Sequence, residues 1–130
     1  MPLGSTAFST IANGGSYIQP TMIVAIEDRD HKQLETFSSP ASEPALSNTA
    51  AQTLLDVMRG VIDGGTAAGL RPRFQLTGDL AGKTGTTQDN TDGWFILMHP
   101  NLVAGAWTGF NDNRVAMRSS YWGQAAHTAL

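Results

Sequence analysis

Apolar residues recur between Ser47 and Asp63 at the alternating three- and four-residue spacing of a helix. Ala51, Leu54, Leu55, Met58, Val61 and Ile62 fall on one stripe. Ser47 stands where an N-cap belongs, its hydroxyl able to accept a first-turn N–H, and Gly64-Gly65 supplies the stop. A shorter pattern, Thr6 to Ala12, places Phe8, Ile11 and Ala12 at helical spacing. Asn13-Gly14-Gly15 closes it, because the left-handed conformation at a helix end is cheap only for Gly or Asn. The period then changes. Pro20 to Glu27 is rich in strand formers (Met22, Ile23, Val24, Ile26), and Gln33 to Phe37 returns as the second arm of a hairpin across the polar turn Asp28 to Lys32. Three more strands are predicted over Leu80 to Thr87, Gly93 to Met98 and Leu102 to Phe110. The turn His99-Pro100-Asn101 is short enough to force the last two antiparallel. Between the long helix and these strands lies a connection containing Gly69 and Pro72, with Arg71 and Arg73 flanking the proline. Gln124 to Leu130 begins another helical pattern. No internal repeat shows, and the only biased stretch is Ser38 to Pro44.

Composition narrows the function classes. The 130 residues amount to about one domain. With 41% hydrophobic and 15% charged residues the chain reads as globular rather than disordered. Eight Lys and Arg against 11 Asp and Glu give a net charge of -3, which offers no basic footprint for nucleic acid and no polybasic membrane patch. Absence of cysteine removes disulfides, thiolate catalysis and cysteine-ligated metals. No apolar run approaches the roughly 20 residues of a membrane span, and no signal peptide is visible. Met1 to Ser5 is expected to be a cloning remnant, with residues 6–130 an excerpt cut at both ends.

The stretch Gly82-Lys83-Thr84-Gly85-Thr86-Thr87 carries the chemistry. A phosphate-binding P-loop needs G-x-x-x-x-G-K-[ST] opening a helix; here Gly78 is one residue too close to Gly82, and strand-like sequence follows Lys83. Taken alone, Lys-Thr-Gly also fits a plain edge strand with a solvated lysine. Its context is more specific. Lys83-Thr84-Gly85-Thr86-Thr87 is followed by Trp94-Phe95 and then by Val103-Ala104-Gly105-Ala106-Trp107-Thr108-Gly109-Phe110. It is preceded by Ala12-Asn13-Gly14-Gly15 with Pro20, a long helix, and Gly65-Thr66-Ala67. Over roughly residues 6–130 this order and spacing resembles the transpeptidase domain of class A penicillin-binding proteins.

The resemblance implies an α/β fold, an antiparallel sheet flanked by helices, and a serine acyl-transfer site built from S-x-x-K, S-x-N and K-T-G motifs. It implies that Lys83 supplies positive charge to the substrate carboxylate and tunes proton transfer, and that Thr84 and Thr86 offer hydroxyls to the same carboxylate. By the same likeness the Thr86 N–H would form half of an oxyanion hole, Gly85 would leave room for substrate backbone, and Thr87 would border the substrate. No cofactor is implied. The partners implied are peptidoglycan stem peptides, β-lactams and the rest of a parent transpeptidase domain, at the periplasmic face of the cell envelope. The chain also departs from the family pattern. No Ser is followed at three residues by Lys, the only lysines being Lys32 and Lys83, and no S-x-N occurs. The isolated chain is therefore expected to be inactive, and to be either an oligomer or a piece held by its parent, with an uncovered sheet face. A fragment of a serine β-lactamase or D,D-carboxypeptidase remains an alternative, as does a non-catalytic folding or interaction fragment.

Other candidates weigh less. His31, His99 and His127 lack ligand spacing. Gln88 to Gly93 resembles a calcium loop only loosely, since Gln88 takes its first position and His99 the twelfth, where a bidentate Glu belongs. Asp89, Asp92 and Asp112 read as solvated loop carboxylates, Arg71 and Arg73 as surface residues, and Trp94, Phe95, Trp107 and Phe110 as core and sheet-face aromatics.

Overall fold

The computed structural model describes residues 2–112 and 114–117; the helical pattern at 124–130 and His127 lie outside them. Helix α1 (Pro2–Ala12) starts earlier than the apolar pattern, with proline first, where its missing N–H costs nothing. Its end is as the sequence predicts. Gly14 and Gly15 take φ of 64° and 93°, and the Gly15 N–H donates to the Thr10 carbonyl at 2.9 Å. A Cβ on Gly15 would also sit 2.3 Å from the Leu46 carbonyl oxygen. The same glycine thus lets the chain entering α2 cross the end of α1, and the N–H groups of Ala45 and Leu46 both donate to its carbonyl. Beside this crossing, β1 (Ser16–Tyr17) pairs antiparallel with β4 (Glu43–Pro44), so the Ser- and Pro-rich stretch ends in a ladder.

The hairpin is shorter than its β-rich sequence. Strand β2 covers only Ala25–Glu27 and pairs with β3 (Gln33–Thr36), with an irregularity between Ile26 and Glu27. One further bond, Phe37 N–H to Val24 carbonyl at 3.0 Å, continues the pairing. Pro20 to Ile23 has β-propensity but no partner strand among the described residues, and a strand is defined by its partner. In the turn, Asp28 Oδ1 accepts from the N–H groups of Asp30 and Lys32 at 2.9 and 3.0 Å, the local bonding that makes Asp a turn residue.

Helix α2 (Asn48–Asp63) opens on Ser47, whose hydroxyl accepts the Ala50 N–H at 3.2 Å. Ala51, Leu55 and Ile62 of its stripe are buried, while Leu54 at the margin stays 39% exposed. The connection beyond it contains a five-residue helix, α3 (Leu70–Phe74), where the sequence predicts none. Pro72 is tolerated there because N–H groups of a first turn have no intrahelical acceptor. Arg71 is a strap rather than a loose surface residue: its Nε meets Asp63 Oδ1 at 2.9 Å, and its Nη1 donates to the carbonyls of Leu76 and Gly78 at 3.4 and 3.2 Å.

Strands β5 (Ala81–Thr86), β6 (Asp92–His99) and β7 (Leu102–Gly109) form an antiparallel sheet in the order β5-β6-β7. Alternation sends successive side chains to opposite faces. Ala81, Ile96, Met98 and Val103 pack with Phe8, Ile11 and Ala12 of α1 and Leu55 and Met58 of α2. On the other face Phe95, fully buried, packs with Ile62, Ala67, Leu70 and Leu80. Helix α2 therefore follows β5 so closely that its Leu55 joins one face and its Ile62 the other. Arg59 fixes that placement, donating from Nε and Nη2 to the two carboxylate oxygens of Asp79 at 2.6 and 2.7 Å and also bonding Asp56. The hydrogen bond from Arg59 holds the Asp79 carboxyl below the usual carboxylate range.

Both sheet faces are thus covered around Ile96 and Phe95, which corrects the expectation of an uncovered face. The open apolar surface lies instead on the hairpin and the unpaired stretch before it, where Leu34 is 63% and Met22 96% exposed, and around Trp94 and Trp107 at the far end of the sheet. No described helix is long and apolar enough to cross a membrane.

Candidate active site

Among the described residues strand β5 has a strand neighbour on one side only, and its hydrogen-bonding register decides what its other edge presents. The pairing runs from Ala81 opposite Met98 to Thr86 opposite Gly93. One residue further, the Thr87 N–H donates to the Asp92 carbonyl at 3.1 Å. In an antiparallel ladder the residues that exchange bonds alternate with those that do not. Thr87 therefore points its backbone groups at β6, as do Gly85 and Lys83, whereas Thr84 and Thr86 point theirs away from the sheet. The side of β5 remote from β6 consequently carries the Thr84 and Thr86 N–H and carbonyl groups. One of these carbonyls has a partner: Lys83 Nζ donates to the Thr84 oxygen at 2.5 Å, an exposed ammonium folded back along its own strand.

The side chains divide by alternation. Thr84 shares a face with Phe95, and Lys83 and Gly85 share the other with Ile96 and Trp94. The Thr84 hydroxyl lies 3.1 Å from the hydroxyl of Thr66, in the turn after α2. Thr87 stands past the end of β5, where its hydroxyl accepts the Asp92 N–H at 2.9 Å and meets the Thr91 hydroxyl at 3.0 Å. Lys83, Thr84, Gly85 and Thr86 are thus brought to one exposed strand edge, with Thr87 closing it.

Two glycines of the motif do different work. A Cβ on Gly82 would sit 2.9 Å from Ile62 Cδ1, 3.0 Å from Phe95 Cζ and 3.2 Å from the Ile96 carbonyl oxygen. Gly82 is where α2 presses onto the strand. A Cβ on Gly85 would meet only Trp94 Cβ, at an ordinary 3.5 Å, so nothing among the described residues requires glycine there.

Asp92 is not the solvated loop carboxylate the sequence suggests. It opens β6, and its Oδ1 accepts the Trp107 indole N–H at 3.0 Å, which ties the loop after the motif to β7. Trp107 stands directly opposite Trp94, and the two are 43% and 39% exposed, whereas Phe95 is core. Asp112 pairs with Arg114 at 2.7 Å, whose hydrogen bond lowers its carboxyl below the ordinary range. The described histidines stay apart in local contacts, His31 with Glu27 at 3.6 Å and His99 accepting from the Asn101 N–H at 3.3 Å. Thr66 and the Asp92–Trp107 pair are neighbours of the motif that local sequence pattern does not reveal, because each contact closes over more than a dozen residues.

The family described as penicillin binding protein transpeptidase domain matches residues 5–106. Penicillin-binding protein 1A of Neisseria gonorrhoeae is 34% identical over 124 residues, covering 92% of this chain and 15% of that protein. Among solved structures, penicillin-binding protein 1A from Haemophilus influenzae shares the fold with a TM-score of 0.79 at 20% identity, over 96% of this chain and 25% of that one. The imipenem acyl-enzyme complex of penicillin-binding protein A from M. tuberculosis gives a TM-score of 0.67 at 25% identity, over 96% of this chain and 28% of that one. This chain, which spans 15% of the length of its Neisseria relative, belongs to the penicillin-binding protein transpeptidase family, alongside the class A members.

Proposed function

We propose that the exposed edge of β5 is one wall of a serine acyl-transfer site, in a D,D-transpeptidase that cross-links peptidoglycan stem peptides and is acylated by β-lactams. The reacting serine and its lysine come from residues other than these 130, which contain no S-x-x-K. In this reading the serine hydroxyl adds to the carbonyl of the D-Ala-D-Ala bond, the terminal D-Ala leaves with a proton on its nitrogen, and an amine of a second stem peptide takes the acyl group and regenerates the serine. A β-lactam ring opens onto the same oxygen. No cofactor enters.

Each motif residue has a task set by its direction. The outward N–H of Thr86 donates to the oxyanion that forms on the attacked carbonyl, where a preorganised donor is worth most. Lys83 swings from the Thr84 carbonyl to attract the substrate's terminal carboxylate and to favour loss of the nucleophile's proton. The Thr84 and Thr86 hydroxyls donate to that carboxylate, and Thr87 with its Asp92 contacts borders it. Residues 6–130 form the part of the domain that carries this wall, and the exposed hairpin packs against the remainder of the parent protein at the periplasmic face of the cell envelope.

The observation that carries the reading is the contrast between the glycines. Gly85 pairs with Trp94 on the strand along which substrate backbone would run, and a Cβ there would meet only Trp94 Cβ at an ordinary 3.5 Å, so in this reading its missing side chain leaves room for substrate. Gly85→Ala in the full-length protein is expected to leave the melting temperature unchanged and to slow acylation by penicillin about fivefold, the rate equivalent of ~1 kcal/mol of overpacking. Stopped-flow acylation with a fluorescent penicillin measures it. An unchanged rate would remove β5 from the site.

A further inference from the structure

We infer that Thr66 is a positioning residue for the site, acting through the hydroxyl of Thr84; the inference rests on the acyl-transfer reading above. A hydroxyl has one proton and two acceptor positions, and it rotates freely unless something fixes it. Thr84 needs its proton aimed outward if it is to donate to a carboxylate. Thr66 can set that aim, since its oxygen is 3.1 Å from the Thr84 oxygen. When Thr66 donates, Thr84 becomes the acceptor within the pair and keeps its own proton for the substrate.

The turn that holds Thr66 is well defined. On one side is Gly65, where a Cβ would lie 2.8 Å from Val61 Cα and 2.9 Å from the Gly60 carbonyl oxygen, so glycine alone lets the chain fold back onto the last turn of α2. On the other side is Ala67, fully buried against Ile62, Leu70, Leu80 and Phe95. Its N–H donates to the Val61 carbonyl at 3.0 Å, and the Ala68 N–H donates to the Gly65 carbonyl at 3.1 Å. With both neighbours anchored, the exposed Thr66 side chain is delivered to β5 by the core rather than by chance. The Phe95 cluster thus holds the strand and the turn that orients its hydroxyl in one packed unit.

The role requires a hydroxyl and not merely the shape of threonine. In the full-length protein, Thr66→Val keeps the shape and should slow acylation by benzylpenicillin roughly three- to tenfold, the range expected for one neutral hydrogen bond, with no change in melting temperature. Thr66→Ser should restore most of the rate. The slowing should vanish with benzylpenicillin methyl ester, which has no carboxylate for Thr84 to meet, and a merely structural role would slow both compounds alike. Equal slowing of acid and ester, or a Thr66→Val rate equal to wild type, would overturn the inference. Lys83→Ala run alongside separates the two levels. If that variant also acylates at the wild-type rate, the site reading falls and this inference with it; if Lys83→Ala is slow and Thr66→Val is not, only the positioning role is lost.

Discussion

Replacing Lys83 with alanine is expected to slow acylation of the full-length protein by penicillin about ten- to hundredfold. A hydrogen bond to a charged group contributes about 1.5–3 kcal/mol, and each ~1.4 kcal/mol lost in the transition state is a factor of ten. Stability should hardly move. The Lys83 side chain is exposed and donates to the carbonyl of its own neighbour, Thr84, so removing it uncovers no core. Single-turnover acylation and a thermal melt, made on the same preparation, check both halves. A Lys83→Ala protein that acylates as fast as wild type would strip the lysine of its role.

The second large effect is on stability, one residue earlier. Gly82→Val should destabilise the protein by roughly 1–3 kcal/mol, the usual cost of adding methyl groups to a filled core. Ile62 and Phe95, the side chains a Cβ would strike, are both fully buried and have nowhere to retreat without pushing α2 off β5. That is a large share of a net stability of about 5–15 kcal/mol. A urea titration should show the midpoint lowered with an unchanged slope, since the packing changes and the surface exposed on unfolding does not. A midpoint equal to wild type would mean that α2 is not seated on the strand as described. Set beside Gly85→Ala, the pair separates a glycine that packing needs from one that the proposed acylation site needs.

How much of this was legible beforehand follows from the range of each interaction. Ser47 and the stripe from Ala51 to Ile62 announce α2 because capping and periodicity are local. The three-strand sheet is readable because its turns are short and its alternation is clear. Helix α3 escapes because five residues around a proline show no period, and Pro20 to Ile23 misleads because strand formers need a partner that nothing in their own sequence reports. The Lys-Thr-Gly motif points to the proposed site only through its neighbours along the chain. What the sequence does not carry is the tertiary dressing: Thr66 beside Thr84, Trp107 on Asp92, and Ile62 filling the space that Gly82 leaves.

The central claim, that this chain supplies one wall of a serine acylation site whose nucleophile lies elsewhere, is tested most directly by intact-mass spectrometry after incubation with penicillin. The full-length protein should gain one penicilloyl group, mapping to a serine followed three residues later by lysine. The 130-residue chain alone should gain none. A stable adduct on any Ser or Thr of these 130 residues, or no adduct on the full-length protein, would contradict it.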